Sequence, residues 1–86
     1  MAASMVNLTI LGSTGSIGVS TLDVVRRHAD RYRILALCAH RQADLLFEQC
    51  REFRPTYAVL GDQVAADALQ ARFDAAGVST QVLAGV

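Results

Sequence analysis

The stretch Gly12-Ser13-Thr14-Gly15-Ser16-Ile17-Gly18 constrains this chain more than any other. It follows Leu8-Thr9-Ile10-Leu11, a short apolar and β-branched run that reads as a strand, and it opens onto Val19 to His28, which reads as a helix. Strand, glycine turn and helix in immediate succession make a phosphate cradle. A helix N-terminus leaves about four backbone N–H groups without partners and carries roughly half a positive charge. A bound pyrophosphate satisfies both. Gly12 supplies the backbone angles of a sharp turn out of the strand, Gly15 lacks the Cβ that would hold a diphosphate off the main chain, and Gly18 lets the helix pack closely on the sheet. The spacing is Gly-x-x-Gly-x-x-Gly, not the Gly-x-Gly-x-x-Gly more usual in NAD-binding domains. A glycine-rich turn with no ligand is the competing reading, and the strand before and helix after favour the nucleotide.

The rest of the chain repeats the alternation that begins there. The first helix runs to about Ala29, with Ile17, Thr21, Val24 and His28 on one stripe and Gly18, Leu22, Val25 and Ala29 on the next, an apolar face two stripes wide. Asp23, Arg26 and Arg27 point away from it, Asp23 as a solvated or locally paired side chain, and His28 is placed to meet the helix dipole. Ile34 to Ala39 is a continuous apolar run of strand length, as expected where helices cover both faces of a parallel sheet. A second helix spans Ala43 to Phe53, with Leu46, Cys50 and Phe53 as its core stripe beside Leu45, and Arg54-Pro55 stops it. Tyr57 to Leu60 is a third strand. Asp62 is the N-cap of a third helix over Gln63 to Ala76, buried through Ala65, Leu69, Phe73 and Ala76, with Gly77 as its C-terminal cap. Val78 to Leu83 reads as a fourth strand. The order β-α-β-α-β-α-β predicts an α/β fold: a Rossmann-like, doubly wound parallel sheet with right-handed crossovers. Residues 1–7 read as a short flexible leader and strand entry, and 8–86 as the N-terminal part of a dinucleotide-binding domain, which typically has about six strands when complete.

Bulk properties exclude several alternatives. Eight basic and eight acidic residues leave a formal net charge of zero, so nothing marks the chain for nucleic acid or an anionic membrane. No apolar run approaches the roughly 18 residues that span a bilayer, and Met1 to Met5 lack an export signal, which points to the cytoplasm. Cys38 and Cys50 have neither Cys-x-x-Cys spacing nor a neighbouring His at zinc-ligand spacing, and they read as buried thiols with no metal or disulfide role.

The choice of nucleotide rests on the end of the second strand. NAD-specific domains place a carboxylate about 20 residues beyond the glycine loop, on the adenine-side ribose. Here Ala39-His40-Arg41-Gln42 holds none. Arg41, 23 residues after Gly18, offers a planar, permanently charged fork suited to the 2′-phosphate of NADP, and Gln42 can donate a hydrogen bond to the same group. His40 could stack on adenine or bond the phosphate, and a half-exposed histidine at a strand end is an equal account of it.

Leu8 to Gly18, followed by Ser20-Thr21-Leu22-Asp23-Val24-Val25, resembles the N-terminus of the 1-deoxy-D-xylulose 5-phosphate reductoisomerases. Glu48-Gln49-Cys50-Arg51-Glu52-Phe53-Arg54-Pro55 and Tyr57-Ala58-Val59 resemble that family's second helix and third strand, so the similarity runs from about Leu8 to Gly85. The resemblance implies an NADPH-dependent oxidoreductase that rearranges and reduces 1-deoxy-D-xylulose 5-phosphate to 2-C-methyl-D-erythritol 4-phosphate for isoprene biosynthesis, with a divalent metal, magnesium or manganese, and a homodimeric assembly. It implies that Thr14, Gly15, Ser16 and Ile17 contact the cofactor diphosphate and that His40, Arg41 and Gln42 hold the adenosine 2′-phosphate. The family often has Gly-Lys-Asn or a similar trio there, so His40 in place of glycine is a departure. The family's acidic metal ligands, substrate-phosphate site and mobile loop have no counterparts in these residues, so neither a catalytic residue nor a metal ligand is assigned, and the chain reads as the front portion of a longer enzyme. Another NADP-linked reductase with the same glycine spacing, such as a semialdehyde dehydrogenase, and a non-catalytic NADP-sensing module are the other readings.

Overall fold

A computed structural model describes residues 5–85, so the proposed leader residues Met1 to Ser4 lie outside it, as does Val86. Seven elements alternate: β1 (Val6–Leu11), α1 (Ser16–Arg27), β2 (Tyr32–Ala39), α2 (Ala43–Phe53), β3 (Tyr57–Leu60), α3 (Gln63–Ala76) and β4 (Gln81–Ala84). They form one four-stranded sheet in the order β1-β2-β3-β4, every neighbour parallel. This is the expected α/β, Rossmann-like order. β1 begins at Val6, two residues earlier than the sequence suggests, because Val6 and Asn7 pair with Tyr32 and Arg33 at the start of β2.

Sequential strand order with right-handed crossovers puts consecutive helices on the same face. α1 reaches α2 through Arg26 and Glu52, and α2 meets α3 through stacked Phe47 and Phe73, 5.5 Å apart. The core lies between that helical layer and one face of the sheet. Ile10, Leu37, Ala58 and Leu60 from the strands close on Leu22, Val25, Leu46, Cys50, Leu69 and Phe73 from the helices. The opposite face carries the register row Leu11, Cys38, Val59 and Leu83, of which Leu11 and Leu83 are exposed. The apolar character of β2 therefore does not signify a helix on each side within the described residues. Only one layer is present among them.

Helix limits follow local chemistry. Arg54 adopts left-handed angles before Pro55, whose ring disfavours a helical residue ahead of it. Asp62 Oδ2 accepts the Ala65 N–H at 2.9 Å as the N-cap of α3. Gly77, at φ +72°, closes that helix in a Schellman arrangement, with Val78 N–H donating to the Phe73 carbonyl and Gly77 N–H to that of Asp74. Val78 and Thr80 are buried before β4 begins, Thr80 through a 2.7 Å hydrogen bond to the Pro55 carbonyl, so the fourth strand starts three residues later than expected. In α3, Ala66 takes the buried place expected of Ala65 and Ala76 is exposed.

The face of α1 departs most from expectation. Gly18, Leu22 and Val25 are buried, whereas Ile17 is 83% exposed and Val24 50%. One stripe packs on the sheet, not two. Asp23 pairs locally with Arg26 and Arg27, as expected.

Candidate cofactor site

Parallel pairing brings the C-terminal ends of β1, β2 and β3 to one edge of the sheet, and the segments 12–15, 40–42 and 61–62 leave from that edge. In α/β sheets this is where ligands are received. The glycine turn is joined to β2 directly, since Ser13 N–H donates to the Cys38 carbonyl at 2.9 Å.

Gly12 turns at φ +66°, a left-handed conformation that side chains disfavour. Gly15 N–H then donates to the Gly12 carbonyl at 3.0 Å and closes the turn. A Cβ on Gly18 would stand 2.3 Å from the Gly12 oxygen and 2.6 Å from Ser13 Cα, so the helix is pressed against the backbone of the turn itself. Gly18 thus serves the turn as much as the sheet behind it. Gly15 is different: its φ is −79°, and an added Cβ would meet the Gly12 oxygen at 3.4 Å, an ordinary contact. Nothing within the described residues requires Gly15 to be glycine.

Gly15 is also the N-cap of α1, and no side chain caps that end. The first helical bond runs from Val19 N–H to the Gly15 carbonyl, which leaves the N–H groups ahead of it directed out of the helix end. The start of α3, by contrast, is closed by Asp62. Thr14 is half-buried, and Ser16 and Ile17 are exposed on the open first turn.

Across the edge, His40, Arg41 and Gln42 are all exposed. The Arg41 carbonyl accepts the Ala43 N–H at 2.8 Å and the Gln42 carbonyl accepts the Leu46 N–H at 2.9 Å, so this segment is the start of α2. Among the described residues the Arg41 guanidinium has no carboxylate partner, as is the case for Arg31, Arg33 and Arg54, whereas Arg26, Arg27, Arg51 and Arg72 are in ion pairs. Of the four without a partner, Arg41 is the one at this strand edge. His40 lies against Gly61, where a Cβ would approach its Nδ1 to 3.3 Å. The structure therefore gathers the seven expected residues at one strand edge, in two segments linked through Ser13 and Cys38.

Two residues to which the sequence reading gives no role of their own hold this edge together. Ser13 is fully buried; its hydroxyl donates to Gln49 Oε1 at 2.9 Å, and its carbonyl accepts from Gln49 Nε2 at 2.8 Å. The local sign is an amide beside the apolar stripe of α2, one position before Cys50, where a lysine or glutamate would have indicated solvent. The partner, 36 residues away, has no local signature.

A broad groove between α1 and α2 is lined by Val19, Asp23, Leu45, Glu48 and Gln49. Most of its charges pair with one another, through Arg26 with Glu52 and Arg51 with Glu48, and it runs between the two helices. Paired to Arg26, the Glu52 carboxyl titrates below the usual carboxylate range. Burial pushes the Cys50 thiol up to about 12 and raises that of Cys38 above its ordinary value. No cluster of three or more His, Cys, Asp or Glu that could hold a metal occurs among the described residues, and no helix among them is long and apolar enough to cross a membrane.

Residues 8–86 match the family model for 1-deoxy-D-xylulose 5-phosphate reductoisomerase. The chain belongs to that family. It is 59% identical over 86 residues to the 1-deoxy-D-xylulose 5-phosphate reductoisomerase of Dechloromonas aromatica, covering 100% of this chain and 22% of the relative. To that of Cupriavidus metallidurans it is 60% identical over 81 residues, covering 94% of this chain and 21% of the relative. The fold is similar to the reductoisomerase from Zymomonas mobilis in complex with NADPH, with a TM-score of 0.87 and 36% identity over 96% of this chain and 21% of that one. It is also similar to a reductoisomerase in complex with NADPH, fosmidomycin and magnesium, with a TM-score of 0.86 and 39% identity over 92% of this chain and 19% of that one. The chain spans about a fifth of the length of these relatives.

Proposed function

We propose that this chain binds NADPH for a reductoisomerase that converts 1-deoxy-D-xylulose 5-phosphate to 2-C-methyl-D-erythritol 4-phosphate. The observation that carries the cofactor reading is the joint placement of an uncapped helix start and an ion-pair-free arginine on adjacent parallel strand ends. Backbone N–H groups of Gly15, Ser16 and Ile17, with the Thr14 side chain beside them, receive the diphosphate. Arg41, with His40 and Gln42, receives the 2′-phosphate. Gly15 fits this role well, because its missing Cβ is used by nothing inside the described chain. The solved relatives bound to NADPH support the same reading.

On this reading the metal and the phosphorylated sugar are held by other parts of a reductoisomerase. The same reading makes the enzyme a cytoplasmic homodimer. The cofactor supplies hydride; the described residues bind and orient it. A chimaera in which residues 1–86 replace the matching segment of the Dechloromonas aromatica relative provides the test. Its affinity for NADPH, read by fluorescence titration, exceeds that for NADH by more than about tenfold, since a charge-assisted phosphate contact contributes about 1.5 to 3 kcal/mol. Equal affinities defeat the assignment of Arg41.

A further inference from the structure

The Ser13–Gln49 pair lies outside every cofactor contact proposed above, yet among the described residues it carries two of the three buried side-chain hydrogen bonds. Both residues are buried, Ser13 completely and Gln49 to 7% exposure. Both polar atoms of the Gln49 amide are used, one as acceptor and one as donor, and both partners belong to Ser13. The third polar group of Ser13, its N–H, is fixed to β2. The residue in the middle of the glycine turn is therefore held from two sides, by the strand that ends in the 40–42 segment and by the helix that this segment starts.

We infer that Gln49 is a positioning residue for the cofactor, holding the glycine turn in the conformation that receives the diphosphate. This rests on the NADPH reading. Gly12 can populate many backbone states, and the helix start is useful to an anion only when the turn before it is ordered. Gly18 lets α1 press against the turn, but a missing Cβ attracts nothing. The attractive element is the amide of Gln49. When only part of the protein population has the turn in its competent conformation, the apparent affinity falls by that fraction, whichever nucleotide is offered.

In the chimaera, Gln49→Met keeps the length and apolar stem of the side chain and removes both hydrogen bonds. The expected result is about tenfold weaker binding of NADPH and of NADH alike, with their ratio unchanged. Hydrogen exchange of the nucleotide-free protein is expected to accelerate at residues 13–19 and to stay unchanged in β3 and β4. Ser13→Ala, which removes only the hydroxyl bond and leaves the Gln49 amide on the Ser13 carbonyl, is expected to give a smaller loss in the same direction. Adding it to Gln49→Met is expected to cost little more. Thr80→Val removes a buried hydrogen bond at the far end of the sheet and is the control for lost stability without lost binding. An unchanged NADPH affinity in Gln49→Met overturns the inference, as does exchange that accelerates uniformly along the chain, or equal weakening by Thr80→Val. Failure of the parent chimaera to bind NADPH overturns the cofactor reading and this inference together; weakening confined to the variants separates the two.

Discussion

The glycine turn and the 40–42 segment meet at one sheet edge, but they are built in opposite ways. The turn is specified from within: Gly12 by its positive φ, Gly18 by a 2.3 Å approach to the Gly12 oxygen, and Ser13 by three hydrogen bonds. The 40–42 segment is exposed and contributes only its carbonyls to the start of α2. A diphosphate is common to all dinucleotides and rewards a rigid receptor, whereas the 2′-phosphate distinguishes one nucleotide from another. On the proposed NADPH reading, the firmly held segment is the one facing the part of the ligand that does not vary, and the side chains that would choose between ligands make no ion pair within the described residues. The departure at His40 falls in the second region, where the fold tolerates it.

Substitutions that exchange these two behaviours give the sharpest tests. The largest effect belongs to Gly18→Ala. Its methyl meets backbone, which cannot rotate away, so the 86-residue chain is expected to lose about 3 kcal/mol, read from its urea midpoint. A loss below about 0.5 kcal/mol would show that the turn is not specified from within. Next comes Arg41→Glu, expected in the chimaera to weaken NADPH by more than about tenfold while leaving NADH and stability nearly unchanged. An unchanged NADPH preference would move the 2′-phosphate elsewhere. Gly15→Ala crosses the two categories, because the site lies in the rigid turn yet no neighbour claims its space. It is expected to cost less than about 1 kcal/mol of stability, and to weaken NADPH and NADH together. The smallest effect is a difference in thiol reactivity. Cys50 sits beside the Gln49 anchor and Cys38 on the strand leading to Arg41, and a thiol reagent at pH 8 is expected to modify Cys38 first. Since the folded pKa of Cys50 is raised, the protonated thiol contributes stability fully below its ordinary value near 9; that contribution fades as pH rises toward 12. Equal reactivity of the two thiols in the native chain would show that the anchor region opens as readily as the edge.

The same contrast explains what the sequence disclosed. Strand-turn-helix order, the glycine positions and the limits of α2, β3 and α3 were legible because Pro55, Asp62 and Gly77 act on their immediate neighbours. The α1 face was overestimated because periodicity lists the apolar stripes without saying which one the sheet covers. Gly18 decides it, by seating one stripe against the turn and leaving Ile17 and Val24 outside. β4 was drawn too long because Val78 and Thr80 alternate like strand residues while they close α3 and bond Pro55. The position of Arg41 at the strand end is legible from its spacing from Gly18, since a parallel neighbour strand fixes where that residue emerges. Gln49 could not, because its importance depends on a partner that only the folded chain brings to it.

Hydrogen exchange of the chimaera with and without NADPH tests the shared site most directly. If the turn and the 40–42 segment receive one nucleotide, binding slows exchange at residues 13–19 and 41–44 together and leaves α3 unchanged. Protection confined to one of the two segments, or centred on α3, would contradict a single site at this edge.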